Sequence, residues 1–222
     1  MLFTHEQMAV AQRVLGDDKM ASLKSWEMSW TDLTLGRSLG AGSFGSVTEG
    51  QWVGGSPCAV KCLHPERADE RCLALFHAEL DLLSTLHHPN IVQLLGAGWT
   101  APHIFLILEL AERGSLLELL VSPATLSWGR PLLSLARDAA RAVQFLHSQR
   151  VAHRDVKAEN VMVTTAFLGK LSDFGTAQRL GSGEDACTDG PAGAASSIAI
   201  GTPFFMAPEM TLSEPHGVAC DV

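Results

Sequence analysis

The hydrophobic pattern of the chain changes near residue 31. Before that point, apolar residues recur at helical spacing in "HEQMAVAQRVL", and Thr4 stands where a helix cap is expected. An aromatic pair, Trp26 and Trp30, follows. We predict that residues 1–30 form an N-terminal extension that packs on or leads into a domain beginning at residue 31.

From residue 31 onward, short apolar runs are bounded by Gly, Ser or Pro, which is typical of strands. Three such runs, "DLTLGRSLG", "SVTEGQWVGG" and "SPCAVKCLH", predict an antiparallel meander. A helix is expected from about Glu66 to Leu86, because Pro89 prevents its continuation. "NIVQLLGAGW" and "HIFLILEL" then predict two more strands. This part of the chain should form a five-stranded antiparallel sheet with one helix.

Beyond residue 110 the pattern becomes helical. "SLLELLV" is one predicted helix, and "PLLSLARDAARAVQFLHS" is a longer one. The longer helix has an apolar face formed by Leu132, Leu135, Ala139, Ala142, Val143 and Leu146. A mostly β part followed by a mainly α part predicts an α+β fold of two lobes with a hinge near residues 109–115. Clefts between lobes are common ligand sites.

Composition and charge exclude several classes of protein. The 222 residues carry a net charge of −8 and no Lys/Arg cluster, which argues against a nucleic-acid partner. The start lacks a basic, apolar signal sequence, and no apolar run approaches the roughly 20 residues of a membrane helix. We therefore expect no membrane partner and a cytoplasmic location, with the nucleus as the alternative. The five cysteines lack CxxC pairing, which favours reduced thiols.

The stretch "GAGSFGSV", residues 40–47, is a GxGxxG motif. A dinucleotide site would require this motif to open a helix, whereas here it joins two predicted strands. Glycines in a hairpin let backbone N–H groups come close to phosphate oxygens, because no Cβ intervenes at Gly40, Gly42 or Gly45. On this motif alone, a plain flexible hairpin is an equal alternative.

Lys61 lies in the strand "PCAVKCL", on a face where a lone ammonium group would need an anionic partner. Glu79 is the best candidate, because apolar residues flank it at helical spacing on the inward side of the predicted helix. Glu66 and Glu70 have no such setting and are interpreted as solvated. A Lys61–Glu79 pair would orient the lysine so that its remaining donors can meet phosphate.

Six polar residues are packed into "HRDVKAEN", residues 153–160, between two apolar stretches. Further along, "SDFGT" contains Asp173. Asn160 and Asp173 offer oxygen ligands of the kind that Mg²⁺ prefers, and Asp155 remains as a candidate base or orienting group. "GTPFFMAPEM" follows a glycine-rich polar stretch that is interpreted as a loop.

Together these motifs resemble the signature set of the eukaryotic protein kinase family. "GAGSFGSV", "AVK", "HRDVKAEN", "DFG" and "APE" occur in the family's order over about residues 31–222. The resemblance implies a bilobal fold with an N-lobe over about 31–110 and a C-lobe from about 111. It also implies ATP and Mg²⁺ as cofactors and transfer of the γ-phosphoryl group to a hydroxyl of a protein substrate.

The resemblance assigns roles to individual positions. Lys61, paired with Glu79, would hold the α- and β-phosphates, Asp155 would orient the attacking hydroxyl and accept its proton, and Lys157 would steady the γ-phosphate. The metal ligands would be Asn160 and Asp173. The positions expected to bind ATP are Gly40, Ala41, Gly42, Ser43, Phe44, Gly45, Val47, Ala59, Lys61, Leu108, Glu109, Ala111 and Met162.

Within the family, Lys157 and "GTPFFMAPE" resemble the Ser/Thr form, in which Thr202 should bond Asp155 and Lys157. The residues from Trp26 to Leu63 are most similar to the tyrosine-kinase-like group of Ser/Thr kinases. The positions that match the activation segment are Phe174, Gly175, Thr202 and Glu209. Regulatory phosphorylation, compatible with an upstream activator, is expected in the preceding loop at Thr188, Ser196 or Ser197.

The last residues, "HGVACDV", resemble the start of the central helix of the large lobe, in which Asp221 supports the backbone of the HRD turn. The C-lobe in this sequence is therefore expected to be incomplete. Two functions remain open: an active Ser/Thr kinase, or a catalytically weak or inactive truncated kinase acting as a nucleotide-binding or interaction protein. A small-molecule phosphotransferase with a similar HxDxxxxN loop is weaker, because it would not need "GTPFFMAPE".

Overall fold

The structure is a computed structural model, and it describes residues 4–16, 20–41, 45–52, 54–99, 103–122, 126–129, 131–180, 201–212 and 214–222. The chain forms two compact units. The first comprises Met1–His87 and Val92–Leu110, and the second comprises His88–Ile91 and Ala111–Val222. Several predicted site residues lie outside the described residues: Gly42, Ser43, Phe44, Thr188, Ser196 and Ser197.

The first unit contains one sheet of five strands. They are β1 (Leu33–Ala41), β2 (Gly45–Trp52), β3 (Ser56–Leu63), β4 (Leu94–Gly98) and β5 (Phe105–Glu109). Their order across the sheet is β1-β2-β3-β5-β4, and every neighbouring pair is antiparallel. The predicted five-stranded antiparallel sheet is confirmed. Its core includes Cys58, Val60, Phe105 and Ile107, all essentially inaccessible to solvent.

The predicted N-terminal helix is present as α1 (His5–Val14). It begins at His5 because the Thr4 hydroxyl accepts a hydrogen bond from Gln7 N, while the Gln7 side chain accepts one from Thr4 N, which together form a capping box. Two 3-10 turns follow, Ala21–Trp26 and Trp30–Asp32.

Helix α2 (Glu70–Thr85) begins later than the sequence pattern predicted. The Asp69 side chain accepts a hydrogen bond from Cys72 N at 2.7 Å and so caps the helix at Glu70. The residues just before it, Pro65–Arg67, form a separate 3-10 turn. The inward side of α2 buries Leu73, Phe76, Glu79, Leu80, Leu82 and Leu83.

The second unit is mainly helical, with two small two-stranded sheets. Its helices are α3 (Leu116–Val121), α4 (Leu132–Ser148) and α5 (Pro208–Thr211), and its strands are β6 (Val151–Ala152), β7 (Val161–Val163), β8 (Gly169–Leu171) and β9 (Gln178–Arg179). β6 pairs with β9 and β7 pairs with β8. The last residues form a 3-10 turn, Val218–Asp221.

The apolar face of α4 is partly as predicted. Leu135, Ala142 and Leu146 are fully buried, whereas Leu132, Ala139 and Val143 are half-buried. The remaining buried residue of this helix is Asp138. Among the described residues, none of the helices combines the length and the hydrophobicity needed to cross a membrane.

Candidate active site

The first unit contains the predicted ion pair between β3 and α2. Lys61 Nζ lies 2.7 Å from Glu79 Oε1 and 3.0 Å from Glu79 Oε2, so the ammonium group contacts both carboxylate oxygens. Glu79 is buried and Lys61 is nearly so. Strand alternation and helical spacing were sufficient to predict this pair, because each side chain is placed by the regular geometry of its own element.

Because the resemblance implies that Lys61 holds the phosphates of ATP, we expect Glu79→Gln to lower kcat/KM for ATP by about tenfold to a hundredfold, since the lysine loses its charged partner and its fixed orientation. Steady-state kinetics with ATP as the varied substrate would measure this loss. The matched control is Glu66→Gln, since Glu66 is exposed and precedes α2. Equal kinetics for the two variants would show that the pair has no role in activity.

The glycines of the β1–β2 hairpin differ in their surroundings. A Cβ at Gly45 would collide with the carbonyl oxygen of Cys62 on β3, so this glycine is required by strand packing. A Cβ at Gly40 would meet nothing within 4 Å. Ala41 is exposed at the end of β1. Gly40 and Ala41 thus present an open backbone surface that a ligand could approach.

The other positions expected to bind ATP in the first unit lie on adjacent strands. Val47 pairs with Lys61 between β2 and β3, and Ala59 pairs with Leu108 between β3 and β5. The N–H of Glu109, at the end of β5, donates to Gln93 O at 2.9 Å.

Two further positions expected to bind ATP, Ala111 and Met162, lie in the second unit. The carbonyl of Ala111 accepts from Gly114 N at 3.2 Å, which leaves its N–H as the candidate donor. Met162 is half-buried in β7 and forms an isolated bridge with Ser115.

The β7–β8 hairpin determines where the predicted metal ligands lie. Val161 pairs with Leu171, so Asn160 before β7 and Asp173 after β8 lie at the same end of the hairpin. Ser172 reinforces this end, because both its N–H and its hydroxyl donate to Asn160 O, at 2.8 and 3.0 Å. Asp173 has a left-handed backbone, with φ of 61°, which is uncommon for a residue other than glycine.

The orientation of Asn160 suits a metal ligand. Its Nδ2 donates to Asp155 O at 2.8 Å and to Asp155 Oδ2 at 2.9 Å, so its Oδ1 points away as an available oxygen. Together with the Asp173 carboxylate, it supplies the hard oxygen ligands that a divalent cation prefers. The described residues hold no cluster of three or more His, Cys, Asp or Glu that could bind a metal without help. Phosphate oxygens of a nucleotide would complete such a site.

Both carboxylate oxygens of Asp155 accept hydrogen bonds within the second unit. Its Oδ1 accepts from Thr202 N at 2.9 Å and from Thr202 Oγ1 at 2.8 Å. Its Oδ2 lies 2.7 Å from Lys157 Nζ and accepts from Asn160 Nδ2. Lys157 also donates to the Thr202 hydroxyl. The contacts that the resemblance implied for Thr202 are therefore present.

Asp155 is 7% exposed, and its surroundings keep it ionised. Burial alone would raise the pKa of this carboxyl, but the hydrogen bonds from Lys157, Thr202 and Asn160 and the charge of Lys157 outweigh it, so that the pKa lies below its ordinary value of 3.8. The second unit thus holds a carboxylate that is anionic at neutral pH, with a cation beside it.

A pH-dependent contribution to stability follows. Because the folded-state pKa of Asp155 lies below the unfolded one, its ionised form stabilises the fold above pH 3.8, and this contribution is lost as the pH falls through the folded-state pKa. We expect the free energy of unfolding of the unmodified protein to exceed that of Asp155→Asn at pH 6, and the difference to shrink toward pH 3. Urea unfolding at several pH values would test this. A difference that does not change with pH would contradict it.

The turn that carries Asp155 is held by Asp221, whose side chain is fully buried. Asp221 Oδ2 accepts from His153 N at 2.8 Å and lies 3.0 Å from His147 Nε2, while Oδ1 accepts from Arg154 N at 2.6 Å. Arg154 has a positive φ of 66°, so the Asp221 carboxylate stabilises a backbone conformation that is otherwise unfavourable. The support that the resemblance implied for Asp221 is present.

His153 and Phe174 connect this turn to the residues after β8. The His153 ring is completely buried, lies edge-on to Phe174 at 5.0 Å, and has its Nε2 3.0 Å from Ser172 O. Burial lowers the pKa of His153, although Asp221 and other nearby groups act in the opposite direction. The Arg154 guanidinium donates to Thr176 O and to Gln178 Oε1. Gly175 lies between Phe174 and Thr176 in one 3-10 turn.

Glu209 is half-buried in α5. Its backbone carbonyl accepts from Glu214 N at 2.8 Å. The backbone of the "APE" sequence is therefore held by a local bond.

Three structural residues of this unit were not predicted. Asp138 Oδ2 accepts from Gly169 N at 3.0 Å, Asn90 Nδ2 donates to Gly169 O at 3.0 Å, and His147 contacts Asp221. For Asp138 a signal existed, since it lies on the apolar face of α4 together with Leu135 and Ala142. Nothing local marks Asn90 or His147, whose partners are distant in sequence.

Burial disfavours the reactive thiolate form of two of the described cysteines, Cys58 and Cys62, because it raises the pKa of each thiol. Cys58, Cys62, Cys72 and Cys220 are not in disulfide bonds. Burial raises the pKa of Cys62, the neighbour of Lys61, to about 11, so it is a neutral thiol at physiological pH.

Comparison with known proteins agrees with the geometry. The sequence model of the protein kinase domain matches residues 33–222. The chain is 32% identical over 219 residues to a probable serine/threonine-protein kinase, SIS8, and 35% identical over 205 residues to the serine/threonine-protein kinase CTR1, both of Arabidopsis thaliana. These alignments cover 96% and 88% of this chain.

A third relative is the tyrosine-protein kinase SRK2 of Spongilla lacustris, 34% identical over 165 residues, which cover 74% of this chain. The alignments span only 20%, 23% and 45% of SIS8, CTR1 and SRK2, respectively. With the family model matching nearly all of the chain beyond residue 32, and with its signature residues in the geometry described above, the chain belongs to the protein kinase domain family.

Proposed function

We propose that this protein is an ATP- and Mg²⁺-dependent serine/threonine protein kinase, which transfers the γ-phosphoryl group of ATP to Ser or Thr hydroxyls of a protein substrate. The observation that carries the proposal is the environment of Asp155. It is an ionised, buried carboxylate, with the Lys157 ammonium at 2.7 Å and the Asn160 amide oriented by the same carboxylate. This arrangement combines a proton acceptor, a cation for phosphate and a metal ligand within one turn.

The hydrogen bonds of Asp155 define what must change when a substrate binds. A carboxylate has about four acceptor positions, and Thr202, Lys157 and Asn160 occupy four. We expect Lys157 to turn from Asp155 Oδ2 to the γ-phosphate, which frees one acceptor position for the substrate hydroxyl. Lys157 thus shields Asp155 before substrate arrives and binds phosphate afterwards.

The transfer itself requires positioning and charge stabilisation. The hydroxyl oxygen forms a bond to the γ-phosphorus, the bond from that phosphorus to the bridging oxygen breaks, and ADP leaves with that electron pair. Asp155 accepts the hydroxyl proton, and Lys157 lies beside the negative charge of the phosphoryl oxygens. Mg²⁺, when bound by Asn160 and Asp173, would neutralise charge on the phosphates.

Lys61, Glu79 and the hairpin glycines serve the nucleotide in this proposal. Lys61, held by both oxygens of Glu79, would contact the α- and β-phosphates. The open backbone at Gly40 and Ala41 supports phosphate contact at the hairpin.

Preference for Ser and Thr over Tyr is supported by Lys157 and by its bond to the Thr202 hydroxyl. SIS8 and CTR1 are named as serine/threonine-protein kinases, in agreement with this preference, whereas SRK2 is named as a tyrosine-protein kinase. Assignment to the tyrosine-kinase-like group of Ser/Thr kinases stays a prediction.

The test is phosphoryl transfer from ATP labelled in its γ-phosphoryl group to a general protein substrate rich in Ser, Thr and Tyr. Acid hydrolysis then identifies which amino acid carries the label. We expect label on Ser and Thr, dependent on Mg²⁺ and lost on chelation with EDTA. Label on Tyr alone would contradict the specificity. Binding of ATP without transfer would instead favour a nucleotide-binding or interaction protein.

A further inference from the structure

The N-terminal segment, residues 4–16 and 20–28, is bound along α2, the helix that carries Glu79. α1 packs beside α2, and the 3-10 turn Ala21–Trp26 lies against both α2 and β4. Four apolar side chains of the segment are at most 3% exposed: Ala11, Leu15, Met20 and Leu23. The segment therefore belongs to the core of the first unit, although it precedes the residues that carry the kinase motifs.

Both ends of the segment are attached by specific bonds. Near its start, Gln7 Nε2 donates to Pro65 O at 2.6 Å, in the turn that leads into α2. At its other end, Met28 N donates to Ala97 O at 2.8 Å. The segment thus has one bond just before α2 and another on the strand that follows α2.

The second attachment covers the edge of the sheet. β4 is an outer strand, and Glu27 forms a parallel bridge with Ala97 on it. Gly96 makes this approach possible, because a Cβ there would lie 2.5 Å from Met28 Cγ. The absence of a side chain at Gly96 thus makes room for the Met28 side chain.

We infer that the N-terminal segment is a positioning element for the catalytic ion pair: it holds α2 so that Glu79 stays paired with Lys61. Leu23 is the residue through which it acts most directly, since it is the buried side chain of the turn that touches both α2 and β4. The inference rests on the proposed function for its catalytic consequence, but its structural part can be tested without any activity.

The structural part is tested by hydrogen exchange of the full chain. We expect Leu23→Ala to speed amide exchange in α2 by about tenfold, with little change in α4 of the second unit. Ser22→Ala is the matched control, because Ser22 is exposed on the same turn. If Leu23→Ala fails to fold, Leu23→Val, which removes less volume, gives the same comparison. Unchanged exchange in α2 of a folded variant would overturn the inference.

The catalytic part is tested by a double-mutant cycle on phosphoryl transfer. Leu23→Ala should lower kcat/KM for ATP at least about fivefold in the unmodified chain and have almost no further effect in a Glu79→Gln background, because the ion pair is already broken there. A residue with a merely structural role would give the same factor in both backgrounds, and that result would overturn the inference. If the unmodified chain transferred no phosphoryl group, the proposed function would be refuted instead. The amide hydrogen exchange of α2 would then decide by itself whether the N-terminal segment holds this helix.

Discussion

Replacing Asp155 by Asn is expected to lower kcat for phosphoryl transfer by about 10²- to 10⁴-fold, with a much smaller change in the affinity for ATP. The amide cannot accept the hydroxyl proton. In the unmodified protein the two carboxylate oxygens of Asp155 accept from Thr202 N and from Lys157. The amide of the Asp155→Asn variant would place its NH₂ group against one of these donors. Single-turnover transfer and equilibrium binding of a fluorescent ATP analogue would measure the two quantities separately.

The control for this prediction is Asp81→Asn, because Asp81 is an exposed aspartate on α2. It should transfer phosphoryl groups at the rate of the unmodified protein. A rate for Asp155→Asn within a factor of about two of the control would show that Asp155 neither orients the hydroxyl nor accepts its proton. Unfolding curves of both variants would show that any loss of rate is not a loss of fold.

The largest effect on stability is expected from Asp221→Ala, at about 2–4 kcal/mol. This change removes a fully buried carboxylate and leaves the N–H groups of His153 and Arg154 without their acceptor. Arg154 would also lose the bond that supports its positive φ. Urea denaturation of the full chain would measure the loss of free energy.

Asp81→Ala serves as the matched change for Asp221→Ala and should alter stability by no more than about 0.5 kcal/mol. An equally small change in the free energy of unfolding for Asp221→Ala would contradict the prediction. It would mean that water replaces the carboxylate as the acceptor for the backbone N–H groups of the turn. A rate assay adds a second readout, because displacement of Arg154 should disturb the neighbouring Asp155.

The features that the sequence predicted correctly depend on the regular geometry of single strands and helices. Lys61 and Glu79 each lie on an element with a clear period, so the alternation of a strand and the spacing of a helix placed both side chains correctly. The capped start of α1 was likewise visible at Thr4. The start of α2 was placed too early, since Pro65 and Asp69 divide the stretch into a 3-10 turn and a helix.

What the sequence could not predict depends on contacts between distant positions. Asn90 donates to the carbonyl of Gly169, and Asp138 accepts from its N–H. No local pattern in the sequence connects these three residues. The role of Gly96 is of the same kind, because its need for space arises from Met28, far earlier in the chain. The motifs determine the chemistry of the site, whereas such distant contacts determine whether its turns are held in place.

The four residues His88–Ile91 belong to the second unit although residues of the first lie on both sides of them in sequence. Leu171 N donates to Asn90 O at 2.8 Å and Lys170 Nζ donates to Pro89 O at 2.9 Å, so strand β8 depends on them. Cleavage of the chain at the predicted hinge would therefore not yield two self-sufficient fragments. The fragment that ends at residue 110 would contain His88–Ile91, so the fragment that begins at residue 111 would lack four residues of its own unit. When the two fragments are mixed, these four residues would have to pack beside β8 again.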